Sequence, residues 1–313
     1  MAYGVRSLAV RTGARAEQTN DDLRQQLLCA VRRTATDMAE IKQEVEDTME
    51  QAEDFRRECE ALERLLGPLN EADFDRATGF KGWTINQIMR HLHVWNYAAD
   101  LSLTDEAAFK LWIKDAGGPI SSGGMPAFEQ AWLDGLSGTA LLGTWREFYP
   151  VLAEHFSKAD PSMRVAWAGP SMSVRSSITA RLMESWAHAQ AIYDELGVVR
   201  ENADHIRNIV VLGLNTYGWT FANRKLPVPE PRPQLVLTAP SGEVWTQGEE
   251  AGEERIEGLA EQFCQVVTQT RNIADTDLVV SGPNAVAWMS FAQCFAGPPN
   301  DPPKPGERAV RIA

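Results

Sequence analysis

The chain reads as an α-helical domain followed by a small α/β domain, and three observations carry that reading. Between about residues 41 and 223, apolar side chains recur at spacings of three and four, the period of amphipathic helices. The run Leu226-Pro227-Val228-Pro229-Glu230-Pro231-Arg232-Pro233 then ends helical continuity and marks a boundary. Beyond it, Gln234–Thr238 and Val244–Thr246 show the character of strands, separated by the turn signal Pro240-Ser241-Gly242.

Composition narrows the function. The 313 residues contain 44% hydrophobic residues and 10 Trp, enough to build a substantial core. A net charge of −13 argues against nucleic acid or an anionic membrane surface as the partner, because phosphate binding rests on clustered Lys and Arg. No run approaches the ~18 consecutive apolar residues of a membrane span. The first sixteen residues carry Arg6, Arg11 and Arg15 without the apolar run of a secretory leader. Cys29, Cys59, Cys264 and Cys294 are far apart and form no Cys-x-x-Cys pair, so they read as reduced thiols in a cytoplasmic protein.

In chain order, residues 1–49 form an N-terminal extension, loose at first and then helical. Residues 50–226 form the helical domain, 234–300 the α/β domain and 301–313 an irregular tail. Ile41, Val45, Met49, Ala52 and Phe55 place one amphipathic stripe, broken at Leu66-Gly67-Pro68. The next helix starts at Thr84, an N-cap with Gln87 three residues on and Trp83 and Ile88 at the staple positions. From that start Ile88, His91, Leu92 and Trp95 share a face, and His93 is turned by about 200° from His91. A short helix over Asp105 to Asp115 precedes the glycine-rich Gly117–Gly124, read as a loop. It lacks the Lys-Ser/Thr ending of a phosphate-binding loop. A helix from about Thr139 to Phe156 contains Pro150 and ends near His155, where an imidazole suits the helix dipole. A longer helix ends at Gly197, a glycine C-cap. One helix is expected over Ala203 to Asn223, another over Glu254 to Arg271, a strand over Leu278–Gly282 and a last helix over Ala285 to Phe295.

The chemistry concentrates in the helix before Gly197. Glu184 and His188 stand four residues apart, one turn from each other on one face. A carboxylate and an imidazole so placed can share a divalent cation, with His91 as the third donor. The spacing also suits a surface Glu–His pair, and His91 on its apolar face also suits a hydrogen-bonded core histidine. The apolar direction set by Ile178, Leu182, Ala189, Ile192 and Leu196 points away from the pair, while Ala187 and Ala191 beside it suit a crowded helix contact. Arg181 lies one turn before Glu184. It can orient a substrate carboxylate or pair with Glu184. Arg271 is a second candidate for the same work.

Trp83-Thr84 followed by His91-Leu92, then Arg181-x-x-Glu184-x-x-x-His188, resembles the mycothiol-dependent maleylpyruvate isomerase group of the DinB-like metalloproteins. Leu237–Trp245, Gly282-Pro283 and Phe295–Pro298 resemble an uncharacterised actinobacterial subgroup with a wyosine-type C-terminal segment. The resemblance covers about residues 50–300. It implies a DinB-like four-helix bundle whose His91, Glu184 and His188 hold a divalent metal, usually zinc, with positions open to water or a thiolate. It implies a small sterol-carrier-like α/β domain after the bundle. The sequence departs from the family where Ala191 replaces an aspartate common after the second histidine, and where no basic residue stands near Asn215.

Three functions follow as expectations. The first is a metal-dependent enzyme that uses mycothiol for isomerisation or S-transfer on a small electrophile. The second is a thiol-independent lyase, cyclase or isomerase of specialised metabolism. The third is a binding protein without turnover. In each case the partner is a small molecule.

Overall fold

A computed structural model describes residues 49–309. The N-terminal extension, its last residue apart, lies outside the described residues. The described part is mostly helical with a small sheet. Its helices are α1 (Glu50–Leu66), α2 (Ile85–Thr104), α3 (Glu106–Gly123), α4 (Met125–Trp132), α5 (Gly138–Ser157), α6 (Val174–Leu196), α7 (Arg207–Asn215), α8 (Tyr217–Asn223), α9 (Ala260–Val267) and α10 (Pro283–Phe291). The strands are β1 (Arg164–Val165), β2 (Met172–Ser173), β3 (Gln234–Thr238), β4 (Val244–Gln247), β5 (Arg255–Leu259) and β6 (Val279–Ser281).

Four of the five long helices close a ring in which α1 packs on α5 and α6, and α2 packs on the same two. Ala52 and Phe55 of the expected stripe are buried on α1, and Cys59, Leu62 and Leu66 continue that face into the core. Helix α2 starts as its cap residues require: Thr84 accepts from the Gln87 amide and the Gln87 side chain accepts from the Thr84 amide. Helix α6 ends at Gly197 in the left-handed conformation, where the missing Cβ removes the steric cost. Its buried residues lie on every side, from Ile178 and Trp186 to Met183 and His188. That explains why an apolar wheel could not tell which face of α6 was solvent.

β1 pairs antiparallel with β2, and the four-stranded sheet has the order β4-β3-β5-β6, with β3 antiparallel to β4, parallel to β5, and β5 antiparallel to β6. Leu235, Leu237, Trp245 and Ile256 are buried; β3 and β5 pack on α9, and β6 packs on α10. The buried cluster runs unbroken from Phe55 and Trp186 to Phe263 and Trp288, on both sides of the proline run. The closest seam is at Gly213 of α7, where a Cβ would come within 2.9 Å of the Phe263 ring. Only glycine lets α7 and α9 approach so closely.

Three local expectations are corrected. The glycine-rich segment is not a loop, because α3 continues through Pro119 to Gly123. Phe109 and Ala116 are buried, with Ile120 packed against the Trp95 and Val94 clusters, and this packing overrides the low propensity of glycine. The helix expected over Ala203–Asn223 breaks into a 3₁₀ turn, α7 and α8. The second break falls at Thr216, whose hydroxyl donates to the carbonyls of Leu212 and Gly213. The helix expected over Glu254–Arg271 is strand β5 and then the shorter α9. Pairing with β3 and β6 on both flanks decides the conformation of Arg255–Leu259.

Candidate metal centre

Helices α2 and α6 bring His91, Glu184 and His188 together at the floor of a cavity of about 320 Å³. One donor atom from each lies within 4.8 Å of the other two. Glu184 Oε2 is 3.2 Å from His188 Nε2 and 3.7 Å from His91 Nε2. Bonds of about 2.0–2.1 Å arranged tetrahedrally put donor atoms roughly 3.3 Å apart, so the donor set fits a small divalent cation.

His91 is oriented from behind. Its Nδ1 lies 2.7 Å from Glu129 Oε1 on α4. A carboxylate only accepts, so Nδ1 carries a proton toward Glu129, and Nε2, which faces Glu184, is the nitrogen left to meet a cation once its own proton leaves. Trp95 Nε1 donates to the same Glu129 oxygen at 2.9 Å, and Glu129 is fully buried. This carboxylate–histidine arrangement is the usual second layer behind an imidazole ligand. Glu129 was missed in the sequence. Its only local signal is an acid among Phe128, Ala131 and Trp132 on a short apolar helix.

The electrostatics follow from close packing. Burial disfavours the charged form of His91, but hydrogen bonds to Glu129 and Glu184 outweigh it and hold its pKa up at about 9. Burial opposes the Glu184 charge as well, yet contacts to His188 and His91 keep its carboxyl well below the ordinary range. His188 is pushed down, first by burial and then by the charge of His91 against the pull of Glu184. Its Nδ1 is buried without a hydrogen-bond partner among the described residues. The imidazole lies parallel to the Trp83 ring, with centroids 6.1 Å apart, and meets the Phe80 ring edge-on at 4.7 Å.

The other candidate residues are placed elsewhere. Arg181 is buried and its Nε donates to Asn96 Oδ1 at 3.1 Å. It lies among the helices and outside the cavity wall, although its charge helps hold Glu184 ionised. Arg271 grips Asp194 with both terminal nitrogens, at 2.7 and 2.6 Å, and also lies outside the wall. His93 turns away as its position on the helix requires, packs on Phe148 and is lowered by burial to about 4. His155 pairs with Asp100 at 2.6 Å near the end of α5.

Residues 55–193 match the family model of the mycothiol maleylpyruvate isomerase N-terminal domain, and the chain belongs to this family. Two relatives come from Mycobacterium tuberculosis, the Uncharacterized proteins MT0041 of strain CDC 1551 and Rv0036c of strain H37Rv. Each is 37% identical over 248 residues, covering 79% of this chain and 95% of the relative. Crystal structures of the mycothiol-dependent maleylpyruvate isomerase and of a mutant of it align with a TM-score of 0.46 at 18% identity. They cover 69% of this chain and 87% of theirs.

Proposed function

We propose that the chain is a metal-dependent enzyme that joins or rearranges a small electrophile with the help of a thiol, mycothiol being the candidate. Isomerisation and S-transfer are the two reaction types this reading covers. The observation that carries it is the convergence of His91, Glu184 and His188 in one cavity, with Glu129 fixing the tautomer of His91. Zinc is the cation we assign; these three residues would hold it, and three protein donors leave coordination available to a ligand. When bound, such a cation lowers the pKa of a thiol or polarises a carbonyl.

The residues of the chain do the rest. Glu184 offsets the cationic charge with a carboxylate that stays ionised. Glu129 holds a proton of His91 on Nδ1, so Nε2 is the nitrogen that would give its lone pair to the cation, which displaces the Nε2 proton. Phe80 and Trp83 wall His188 with apolar surface and keep bulk water from one side of the site. We read the ring of α1, α2, α5 and α6 as the DinB-like bundle and the β4-β3-β5-β6 sheet with its helices as the sterol-carrier-like part. No helix among the described residues is long and apolar enough to cross a membrane. We place the protein in the cytoplasm, acting on small molecules.

Elemental analysis of the purified full chain tests the centre. About one divalent metal per chain is expected, with loss of that metal in Glu184→Ala; full occupancy in the variant would sink the site. Turnover assayed with and without thiol tests the chemistry. Undiminished turnover without thiol would replace this reading with that of a thiol-independent lyase, cyclase or isomerase.

A further inference from the structure

We propose that Lys81 and Arg308 form an anion subsite in the wall of this cavity, so that its ligand carries a carboxylate on the side away from the metal donors. The assignment rests on the metal-centre reading for the other end of the ligand.

Both cations line the cavity and both address one ring. Lys81 Nζ lies 5.4 Å and the Arg308 guanidinium 5.3 Å from the centroid of Phe80. The same ring meets the His188 imidazole at 4.7 Å, so one aromatic ring borders both the cations and a metal donor. A small molecule that touches both therefore needs a metal-binding group and an anionic group.

Neither cation has a carboxylate partner among the described residues. The neighbouring acids are engaged elsewhere: Asp194 with Arg271, Glu195 with Arg76, and Glu307 with the backbone amide of Lys304. Arg308 Nη1 donates to the Gln269 carbonyl at 2.6 Å, and its Nε has no hydrogen-bond partner among the described residues. A partly buried cation without a counter-ion is costly, and an anionic ligand group offsets that cost with charge-assisted hydrogen bonds. Arg308 is half-buried and Lys81 exposed; the Glu307 and Asp194 charges favour the Arg308 cation, but neither carboxylate pairs with it. Glu184 is the acid in the wall, and it faces the two imidazoles.

The position of Arg308 is set by its own segment. Asn300 Nδ2 donates to Gln269 Oε1 at 2.6 Å, Asn272 Nδ2 to the Pro303 carbonyl at 2.7 Å, and the Gly306 amide to Asp275 at 2.9 Å. These ties strap residues 300–308 across the α9 end of the cavity. The strap also brings Asn300 to the wall. Arg181 and Arg271 are committed to Asn96 and Asp194, which leaves Arg308 as the guanidinium available to a ligand.

The full-length protein loaded with Co²⁺ tests this by titration with 3-mercaptopropionate and its uncharged counterpart 3-mercapto-1-propanol, read in the cobalt–thiolate absorption. The expected result is binding of the acid about tenfold tighter, near the 1.4 kcal/mol that a factor of ten represents. The advantage should vanish in Arg308→Met, shrink in Lys81→Met and persist in Arg308→Lys, with affinity for the alcohol unchanged throughout. Equal affinities in the wild type overturn the subsite. So does an advantage that survives Arg308→Met, since chelation by the carboxylate would then explain it. If neither thiol alters the spectrum, the thiol reading fails by itself, and butyrate binding by calorimetry decides the subsite. Heat lost in Arg308→Met supports it, and no heat in the wild type overturns it.

Discussion

Glu129 Oε1 stands 2.7 Å from His91 Nδ1, joining α4 to α2 directly behind the cavity floor. Glu129 Oε2 is buried without a hydrogen-bond partner among the described residues, so this carboxylate spends its hydrogen-bonding capacity unevenly. A fully buried acid held in this way fits a residue placed to orient a ligand, since packing alone would favour an apolar side chain there.

Replacing Glu129 should therefore weaken the metal centre without emptying it. Glu129→Ala is expected to cost about 10–100-fold in metal affinity, as loss of an outer partner typically does. Glu129→Gln, which can still accept from Nδ1, should recover much of the difference. Competition with a chromophoric chelator measures both. Equal affinity in wild type and Glu129→Ala would show that Glu129 serves packing alone.

Arg271 is predicted to matter for folding and not for ligand binding. It forms a two-pronged bond with Asp194, and both side chains are about 90% buried. Removing one partner leaves an uncompensated buried charge, so Arg271→Met should destabilise by roughly 3–5 kcal/mol. Urea unfolding measures this. Cobalt loading and thiol titration of the folded variant should match the wild type.

Glu58 gives the stability of the protein an acid limb. It is buried on α1 between Arg200 and His205 Nε2, the latter at 2.9 Å. Burial raises its pKa, but Arg200 first and then His205 outweigh this and hold it below the ordinary 4.5. A group lowered in the folded state stabilises above its unfolded pKa and loses that contribution as pH falls through the folded one. The gap in unfolding free energy between wild type and Glu58→Gln should thus be constant from neutral pH down to about 5, then narrow below 4.5. A gap that stays constant through pH 3 would rule out this ion pair as the source.

What was legible beforehand depended on how local the signal was. The Thr84–Gln87 cap, the glycine stop at Gly197, the inward turn of His91 and the turn-spaced Glu184 and His188 are set within one helical turn, and all could be read. Glu129 and Arg308 reach the site through contacts made by distant segments, and an acid on the short apolar α4 is the one local sign of the first. Strand β5 was mistaken for helix because its conformation comes from β3 and β6 on either side. The long α3 was cut short for the opposite reason, since its glycines and proline are carried by tertiary packing. Arg181 and Arg271 looked available because their partners, Asn96 and Asp194, lie on other elements.

The buried cluster that crosses the proline run has a consequence for traffic into the cavity. Met125 and Lys81 on one side of it face Thr270 and Phe295 from beyond the prolines, yet the two regions share one continuous interior. The Gly213–Phe263 contact locks that seam with no room for a wedge. The mouth therefore cannot widen by swinging one half away from the other without breaking the core. Entry and exit are left to side chains at the rim, so the rate of ligand exchange should be set by how fast residues such as Lys81 and Met125 change rotamer.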